Sequence, residues 1–425
     1  MARSMRKSNV EWITEIPDDW KEIPIKYVAT YNDECLGEDT DANFEFDYIE
    51  IGSVQYGKGI VTTEHMMFRN APSRARRIVK KGDIIISTVR TYLKAVAEVI
   101  DDNQVASTGF VVIRPKTIDT GFLKYSVLAD NFISTVEAYS TGISYPAINS
   151  SRIVGFKIPL PNEKEQKNIS AYLDLQCSYI DCVLEKTCAS IDEYKKLKQS
   201  VITQAITNGI CVDREMRDSG SIWYGEIPAD WEMKKIKYLF SIKKDIAGEE
   251  GHTILSITQR GIVPKDLSKN EGQLASDYSN YQIVNIGDFA MNHMDLLTGW
   301  VDISKYEGVT SPDYRVFVLD NYEENSSEYY LYVMQMCYMD KIFYGLGQGV
   351  SGLGRWRLQA DKFMNFEVAV PPKEEQIEIA QYLDRKCSEI DKLIAKKEQL
   401  VVELEAMKKS LIYEYVTGKK EVPNA

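Results

Sequence analysis

The chain has 425 residues, of which 44% are hydrophobic and 27% charged, a balance typical of globular domains and sufficient for two or three of them. Its formal net charge of −12 argues against a uniformly basic nucleic-acid-binding surface, and no apolar run has a length suited to crossing a bilayer. The basic opening segment is not followed by an apolar stretch, so we expect no secretory signal and a cytoplasmic protein.

Cysteine and histidine are too few and too scattered to suggest metal or catalytic chemistry. The seven Cys include no CxxC pair, and the three His are His65, His252 and His293. Because seven is an odd number, free thiols in a reducing compartment fit better than a disulfide framework. We therefore expect neither a metal site nor a catalytic residue in this chain.

Two segments of the chain recur about 210 residues later. Trp12–Tyr27 (WITEIPDDWKEIPIKY) matches Trp223–Tyr238 (WYGEIPADWEMKKIKY) at 9 of 16 positions, and Pro161–Asp181 matches Pro371–Asp391 at 11 of 21. The chain is therefore a tandem duplication whose halves have similar ends and dissimilar middles. A duplicated enzyme would be expected to keep one site in both copies. A duplicated reader of two different targets would keep its scaffold and vary its contact surface, and the pattern favours such a reader.

The repeated opening segment contributes two tryptophans to each half. Trp12 and Trp20 in the first half correspond to Trp223 and Trp231 in the second. Because both copies keep them, they are expected to pack in the scaffold or to contact a partner protein, not to read a sequence.

The dissimilar middles predict short strands in mixed α+β domains. The runs GDIIIST, AVAEVI and GFVVIRP in the first half are rich in Val and Ile and are broken by Gly, Asn and Pro. In the second half IVNIGDFAMN and DYRVFVL correspond to them, and EYYLYVMQMCYMDKIFY predicts a helix. The expected fold class is α+β, a duplicated mixed α/β domain followed each time by a long helix.

One stretch of the first middle is basic. Between Glu64 and Glu98, eight basic residues stand against three acidic ones, a local charge of +5 within an acidic chain. Local charge decides where a duplex could dock, although a solvated basic face is the plain alternative.

Each middle ends in a Pro-bounded strand, an acidic turn and then a heptad-like series of apolar residues. Each series predicts a helix of about 45 residues, roughly 65–70 Å long at 1.5 Å per residue. We expect the two helices to pack as an antiparallel coiled coil, with Cys177 and Cys387 as buried packing residues. The predicted seams are Leu173, Cys177, Ile180, Leu184, Thr187, Ile191, Tyr194, Val201 and Ala205, and Leu383, Cys387, Ile390, Ile394, Lys397, Val401, Leu404, Leu411 and Tyr415. The predicted division is 1–157 and 214–367 for the variable domains, and 158–213 and 368–425 for the helices.

This layout, with the W…IP..W opening, a variable domain and a P..EQ..I..YLD helix, resembles the specificity subunit of type I restriction-modification systems over essentially the whole chain. Segments Gly82–Val99, Gly109–Pro115, Gly287–Ser304 and Ser311–Phe317 also resemble parts of its target-recognition domains. The resemblance implies a non-catalytic subunit that binds double-stranded DNA, each variable domain reading one half of a bipartite target.

The resemblance also implies partners. The helices would set the half-site spacing and dock two copies of a methyltransferase subunit, which a motor and nuclease subunit can join. The assembled complex would be an adenine-specific DNA methyltransferase and a type I site-specific deoxyribonuclease. S-adenosylmethionine, ATP and Mg would belong to those partner subunits, and this chain would hold no cofactor.

The candidate DNA contacts are basic, polar and aromatic side chains of the two variable domains. Arg fits guanine edges, Lys binds phosphate, and Ser and Thr can donate to either. For each single residue, a structural or surface role is the alternative, and His293 is as often a hydrogen-bonded structural residue as a reader. The candidates are Arg69, Arg74, Arg76, Arg77, Arg90, Tyr92, Lys94, Ser144 and Tyr145 in the first domain, and Arg260, His293, Thr298, Gln348, Ser351, Arg355 and Trp356 in the second.

The loop Gly345–Arg357 contains a GxGxxG pattern, at Gly347, Gly349 and Gly352. A dinucleotide-binding fingerprint needs a strand before it and a helix after it. Here a predicted helix precedes the pattern, and a loop and strand are expected after it. The sequence therefore favours a DNA-contacting loop over a nucleotide site.

Three other functions stay open. A stand-alone methyltransferase or nuclease is disfavoured because the sequence has no Walker A pattern and no N/D-P-P-Y/F tetrapeptide. A protein-only coiled-coil adaptor would bind no DNA in a salt-sensitive way. The recognition subunit of a related restriction system, one that cuts beside its site, would have the same layout.

Overall fold

The computed structural model describes residues 3–211, 213–266, 277–349 and 356–423, and the chain divides into two compact units. The first unit is Met1–Cys188 with Gln399–Ala425, and the second is Ala189–Glu398. Each unit therefore contains one variable domain and part of both long helices. The predicted division into four segments follows sequence similarity, whereas these units follow spatial contacts.

In the part of the first unit that the structure describes, fourteen strands and three short helices precede the long helix. Four 3-10 turns, Ile25–Tyr27, Ile51–Ser53, Phe68–Asn70 and Thr91–Leu93, connect them. The strands are β1 Met5–Lys7, β2 Glu15–Pro17, β3 Lys21–Pro24, β4 Ala29–Tyr31, β5 Glu45–Ile49, β6 Val54–Gln55, β7 Gly59–Ile60, β8 Glu64–Met67, β9 Ala75–Val79, β10 Ile84–Ser87, β11 Val96–Glu98, β12 Gln104–Ser107, β13 Phe110–Pro115 and β14 Lys157–Leu160. The helices are α1 Thr120–Leu128, α2 Asp130–Ala138, α3 Ser150–Ile153 and the long α4 Glu163–Asn208, which continues into the second unit.

The second unit repeats this order with a different middle. One 3-10 turn, Ile236–Tyr238, follows its opening strands. The strands are β15 Met216–Asp218, β16 Glu226–Pro228, β17 Glu232–Lys235, β18 Phe240–Lys243, β19 Leu255–Thr258, β20 Gly261–Pro264, β21 Gln282–Val284, β22 Phe289–Met291, β23 Val301–Ile303, β24 Gly308–Thr310, β25 Arg315–Leu319 and β26 Glu367–Val370. The helices are α5 Ser327–Met339, α6 Ile342–Leu346, α7 Ala360–Asn365 and the long α8 Lys373–Val416, whose last part belongs to the first unit.

Each variable domain contains an antiparallel sheet with the same arrangement of strands, although the sequences of the two domains are dissimilar. Its order is β11-β10-β13-β4 in the first unit and β23-β22-β25-β18 in the second. The outer strands differ, since the first unit adds the sheet β8-β5-β12-β9 where the second has the ribbons β19-β20 and β21-β24. The α+β fold class and the predicted strands are confirmed.

The repeated P..EQ segment ties each long helix to its domain. At the start of α4, Glu165 accepts hydrogen bonds from Trp20 Nε1 at 3.1 Å and Arg3 Nη1 at 2.5 Å. Glu375 at the start of α8 bonds Trp231 Nε1 at 2.8 Å and also Arg214. The acidic first turn therefore anchors a buried indole as well as complementing the positive end of the helix.

The glutamine that follows each of these glutamates forms hydrogen bonds to the start of a short helix in the same unit and to a nearby proline. Gln166 Oε1 accepts from Asp119 N, at the start of α1, and Gln376 Oε1 accepts from Ser326 N, at the start of α5, both at 2.8 Å. Each amide also donates to the carbonyl of a nearby proline at 2.9 Å. Both glutamines are buried, so their polar groups are satisfied inside the core.

The long helices pair antiparallel within each unit. In the first unit, Lys408 Nζ of α8 lies 2.6 Å from Asp181 Oδ1 of α4, and the rings of Tyr172 and Tyr415 are 4.7 Å apart. In the second unit, Lys198 Nζ of α4 lies 2.7 Å from Asp391 Oδ2 of α8. Lys198 and Lys408 are equivalent positions of the repeat, as are Asp181 and Asp391. The helices of 46 and 44 residues and their antiparallel coiled-coil packing confirm the prediction.

The predicted seam is covered along most of its length. Leu173 and Leu383 are fully buried, and Cys177 and Cys387 are 4% and 6% exposed. Burial raises the pKa of both thiols, which keeps them protonated and favours packing over reactivity. All seven cysteines of the chain are free.

The four repeated tryptophans differ in their exposure to solvent. Trp12, Trp20 and Trp231 are buried, whereas Trp223 is 36% exposed and its neighbour Tyr224 is buried instead. Of the two predicted roles, core packing therefore fits Trp12, Trp20 and Trp231, whereas for Trp223 contact with a partner protein stays a prediction. The cause of the exposure is local, because Tyr224 is large enough to occupy the core and leaves its neighbour at the surface.

We expect Trp231→Ala to lower the free energy of unfolding by about 3–5 kcal/mol, because it opens a large cavity and leaves Glu375 without its indole partner. Chemical denaturation of the full chain measures this loss. The matched control is Trp223→Ala, for which a loss below about 1 kcal/mol is expected. Equal losses for the two variants would contradict the assigned burial.

Candidate nucleic-acid interface

Two arginines of the basic stretch line an open pocket of about 560 Å³ in the first unit. Arg74 precedes β9, and Arg90 follows β10. Both are exposed, and in the described part of the chain neither side chain has an ion pair or hydrogen bond. Tyr145 completes the pocket and stacks on Arg90, whose guanidinium carbon is 5.3 Å from the ring centroid. The other lining residues are Val89, Thr108 and Gly109.

The backbone around Arg90 is unusual. Arg90 and Lys94 both have left-handed conformations, with φ of 51° and 52°, on either side of the turn Thr91–Leu93. Such conformations are uncommon for residues other than glycine and cluster at functional sites. The turn presents Tyr92, which is 53% exposed, next to Arg90.

The remaining basic candidates of this domain already have partners or are partly enclosed. Lys94 lies 3.4 Å from Glu137 Oε2, and Arg69 Nη1 donates to Asn43 Oδ1 at 3.1 Å. The Arg76 guanidinium lies over the ring of Phe68 at 4.8 Å. Arg77 is half-buried, and among the described residues its Nε has no hydrogen-bond partner. Among the predicted basic residues of this domain, Arg74 and Arg90 are therefore the ones whose side chains are exposed and form neither an ion pair nor a hydrogen bond in the described part of the chain.

The candidate loop around Ser144 is closed by a pair of backbone hydrogen bonds between Thr141 and Ala147, both at 2.9 Å. Ser144, Tyr145 and Ile143 are exposed between them. Gly142 has a φ of 113°, and a Cβ there would lie 3.0 Å from the Tyr145 carbonyl oxygen. Only glycine fits this turn, which directs Tyr145 towards the arginine pocket.

The second domain closes its glycine-rich loop in the same way. Gln348 and Arg357 exchange backbone hydrogen bonds of 2.9 and 3.0 Å. The helix α6 precedes the glycines, which is not the strand that a dinucleotide fingerprint requires. Gln348 is exposed, whereas Trp356 stacks on Tyr344 and donates from Nε1 to its carbonyl at 2.7 Å. The candidates Ser351 and Arg355 lie outside the described residues.

The other candidates of the second domain are separate from this loop or buried beside it. Arg260 is exposed in the turn between β19 and β20, and Thr298 bonds Asp295 in an exposed turn after β22. His293 is 5% exposed, and burial lowers its pKa to about 3. His293 is therefore neutral at physiological pH, and the structure places it beside Leu358 in the interior and not at the surface.

Two features were missed by the sequence reading. Thr108 and Gly109 line the arginine pocket. The sequence predicted only that a strand begins here, which does not indicate a pocket. Arg315 is buried at the start of β25. Its signal was available, since a charged residue interrupts the apolar run DYRVFVL.

Neither a metal nor a membrane site is found in the described ranges. They hold no group of three or more His, Cys, Asp or Glu placed to bind a metal ion. Among those same residues, no helix combines the length and the apolar character that a membrane span would need.

The sequence is similar to one protein family and to a named relative. The family described as "Type I restriction modification DNA specificity domain" matches residues 17–178 and 228–403. The type I restriction enzyme MjaVIII specificity subunit of Methanocaldococcus jannaschii is 26% identical over 325 residues, which cover 73% of this chain and 72% of that protein.

Two solved structures share the fold. One, described as the structural basis of complex assembly and conformational transition of the type I R-M system, has a TM-score of 0.73 at 19% identity, covering 95% of this chain and 99% of that chain. The HsdS subunit from Thermoanaerobacter tengcongensis has a TM-score of 0.52 at 19% identity, covering 95% of this chain and 98% of that chain.

Proposed function

This chain belongs to the type I restriction-modification DNA specificity family, and we propose that it recognises a bipartite DNA target, each variable domain reading one half. The observation that carries the proposal is the pocket with Arg74 and Arg90, two exposed cations whose side chains form neither an ion pair nor a hydrogen bond in the described residues. Guanidinium groups of this kind bind guanine edges or phosphate. The chain supplies recognition and no chemistry of its own.

The acidic total charge is compatible with this role because the charges are unevenly distributed. Several basic residues outside the pocket are neutralised locally, as Lys80 is by Glu34 at 2.5 Å and Lys408 is by Asp181. Arg74 and Arg90 are left with an uncompensated positive charge. Phosphate attraction depends on the local field and not on the sum over the chain.

The long helices are proposed to set the half-site spacing and to dock two methyltransferase subunits. On α4, Leu175 and Tyr179 are one turn apart and are 67% and 70% exposed. On α8, Val402 and Met407 are 60% and 57% exposed. Exposed apolar residues on helices that already pack their seams are suited to a protein partner. S-adenosylmethionine, ATP and Mg would be held by the methyltransferase and by a motor and nuclease subunit.

We expect the purified full chain to bind a duplex carrying its target at least about tenfold more weakly at 200 mM than at 50 mM salt, because released counterions drive the phosphate contacts. Methylation sequencing of host DNA, with and without the gene, identifies the target, and fluorescence anisotropy measures the affinity.

An unrelated duplex of equal length is the control. Absence of salt-sensitive binding would favour the protein-only adaptor. Transfer of labelled methyl groups to DNA by the chain alone would make it an enzyme. A restriction system that cuts beside its site would give the same binding but a different cleavage position in the assembled complex.

A further inference from the structure

Three basic residues of the second domain meet at the base of its glycine-rich loop. Arg315 Nη2 donates to the Leu358 carbonyl at 2.9 Å, and Leu358 N donates to the His293 carbonyl, also at 2.9 Å. Arg357 directly precedes Leu358 and pairs with Gln348 to close the loop. Arg315 and His293 are each 5% exposed, whereas the Arg357 side chain is at the surface.

The first domain has uncharged residues at all three equivalent positions. Arg315 of β25 pairs with Met291 of β22, and Val111 of β13 pairs with Ile86 of β10 in the corresponding strands of the first domain. Val111 is therefore the counterpart of Arg315. The bond from Leu358 N to His293 O corresponds to the bond from Ile148 N to Thr88 O. Arg357 corresponds in the same way to Ala147, the loop-closing residue of the first domain. The shared scaffold therefore requires none of these three basic groups.

Among the residues that the structure describes, the buried charge of Arg315 has no counter-ion. No carboxylate within the described ranges forms an ion pair with Arg315 or Arg357, and the Arg315 guanidinium also lies near Met291 Sδ and over the ring of Phe363. Burial, together with the nearby charge of Arg357, lowers the pKa of Arg315 to about 10. A buried charge without a partner is strongly unfavourable, so the missing counter-charge is expected to come from a ligand.

His293 has an unused polar atom in the same place. Its Nδ1 is buried and has no hydrogen-bond partner among the described residues. After burial itself, the charges of Arg315 and Arg357 are what lower the pKa of His293. In the tautomer that carries hydrogen on Nδ1, this neutral ring can donate one hydrogen bond.

We propose that Arg315, His293 and Arg357 form a binding site for one backbone phosphate of DNA in the second half of the target. The proposal rests on the proposed function, because the phosphate belongs to the DNA that the second domain reads. The exposed Arg357 meets the phosphate directly. Arg315 supplies its charge from behind through a low-dielectric interior, where electrostatic attraction is stronger than in water. The first domain uses Arg74 and Arg90 instead.

The test replaces each residue by its counterpart in the first domain, giving Arg315→Val, His293→Thr and Arg357→Ala in the full chain. Binding to the target duplex is measured from 50 to 300 mM salt, and thermal unfolding is followed in parallel. We expect Arg357→Ala to reduce the slope of log K against log salt by about one. Arg315→Val is expected to weaken binding about tenfold, because the site loses a positive charge that acts on the phosphate through the interior. Its melting temperature is expected to stay equal or rise, because a buried unpaired charge is removed.

Lys167→Ala, which removes one exposed charge from α4, is the control and should leave the slope unchanged. An unchanged slope for Arg357→Ala, or a lower melting temperature with unchanged affinity for Arg315→Val, would reduce these residues to a structural role. If Arg315→Val fails to fold, the exposed Arg357 decides the question. A wild-type chain that does not prefer its target duplex would instead overturn the proposed function.

Discussion

Replacement of residues 30–150 by the corresponding segment of another specificity subunit is expected to change one half of the methylated sequence completely and to leave the other half unchanged. The segment contains all six residues that line the pocket, from Arg74 to Tyr145. The second variable domain and both long helices lie outside it. Methylation sequencing of host DNA measures both halves of the target in one experiment.

The exchange must preserve the packing that joins the variable segment to the scaffold. Phe122 packs edge-on against Trp20 and Phe132 against Trp12, at 6.2 and 5.7 Å between ring centroids. The control is therefore a donor segment that keeps an aromatic residue at both positions. A hybrid that folds but alters both halves, or neither, would refute the modular account.

Arg74→Ala and Arg90→Ala are each expected to weaken binding to the target about 10–100-fold. A guanidinium that contacts a base or a phosphate contributes about 1–3 kcal/mol, and 1.4 kcal/mol corresponds to a factor of ten. Stability should change little, because both side chains are exposed and form no hydrogen bond within the described chain. Titration of the target duplex with the full chain gives the affinity, and circular dichroism gives the melting temperature.

Lys80→Ala is the matched control for this pair. Lys80 belongs to the same basic stretch but lies 2.5 Å from Glu34, so its charge is already compensated. We expect a change of less than about threefold, in the range of an exposed ion pair. If Lys80→Ala weakened binding as much as Arg90→Ala, the stretch would act as a diffuse positive field and the pocket would have no special role.

Periodic sequence signals predicted the helical part of the fold well. The heptad series around Cys177 and Cys387 depends only on spacing along one helix, and both residues are buried where it placed them. Strand runs such as GDIIIST were equally readable. The exposure of Trp223 could not be predicted, because it depends on which of two adjacent aromatic residues fills the core.

The candidate site was predictable only as a region. The basic residues between Arg69 and Lys94 look alike in sequence, and their difference arises from distant partners such as Asn43 for Arg69 and Glu137 for Lys94. Arg90 differs from the other basic residues in combining a left-handed backbone with a contact to the ring of Tyr145, 55 residues further along the chain. Contacts of this kind follow from tertiary structure, which residue spacing does not encode.

The division of the long helices between the two units has a consequence for biosynthesis. Ile412, Tyr415 and Val416 are part of the hydrophobic core of the first unit, although they are translated after the whole second variable domain. The first unit therefore cannot complete its core until the second variable domain has been synthesised. Premature termination leaves apolar surface open on the half that was made first, so incomplete chains are directed to chaperones and proteases before they can reach the genome.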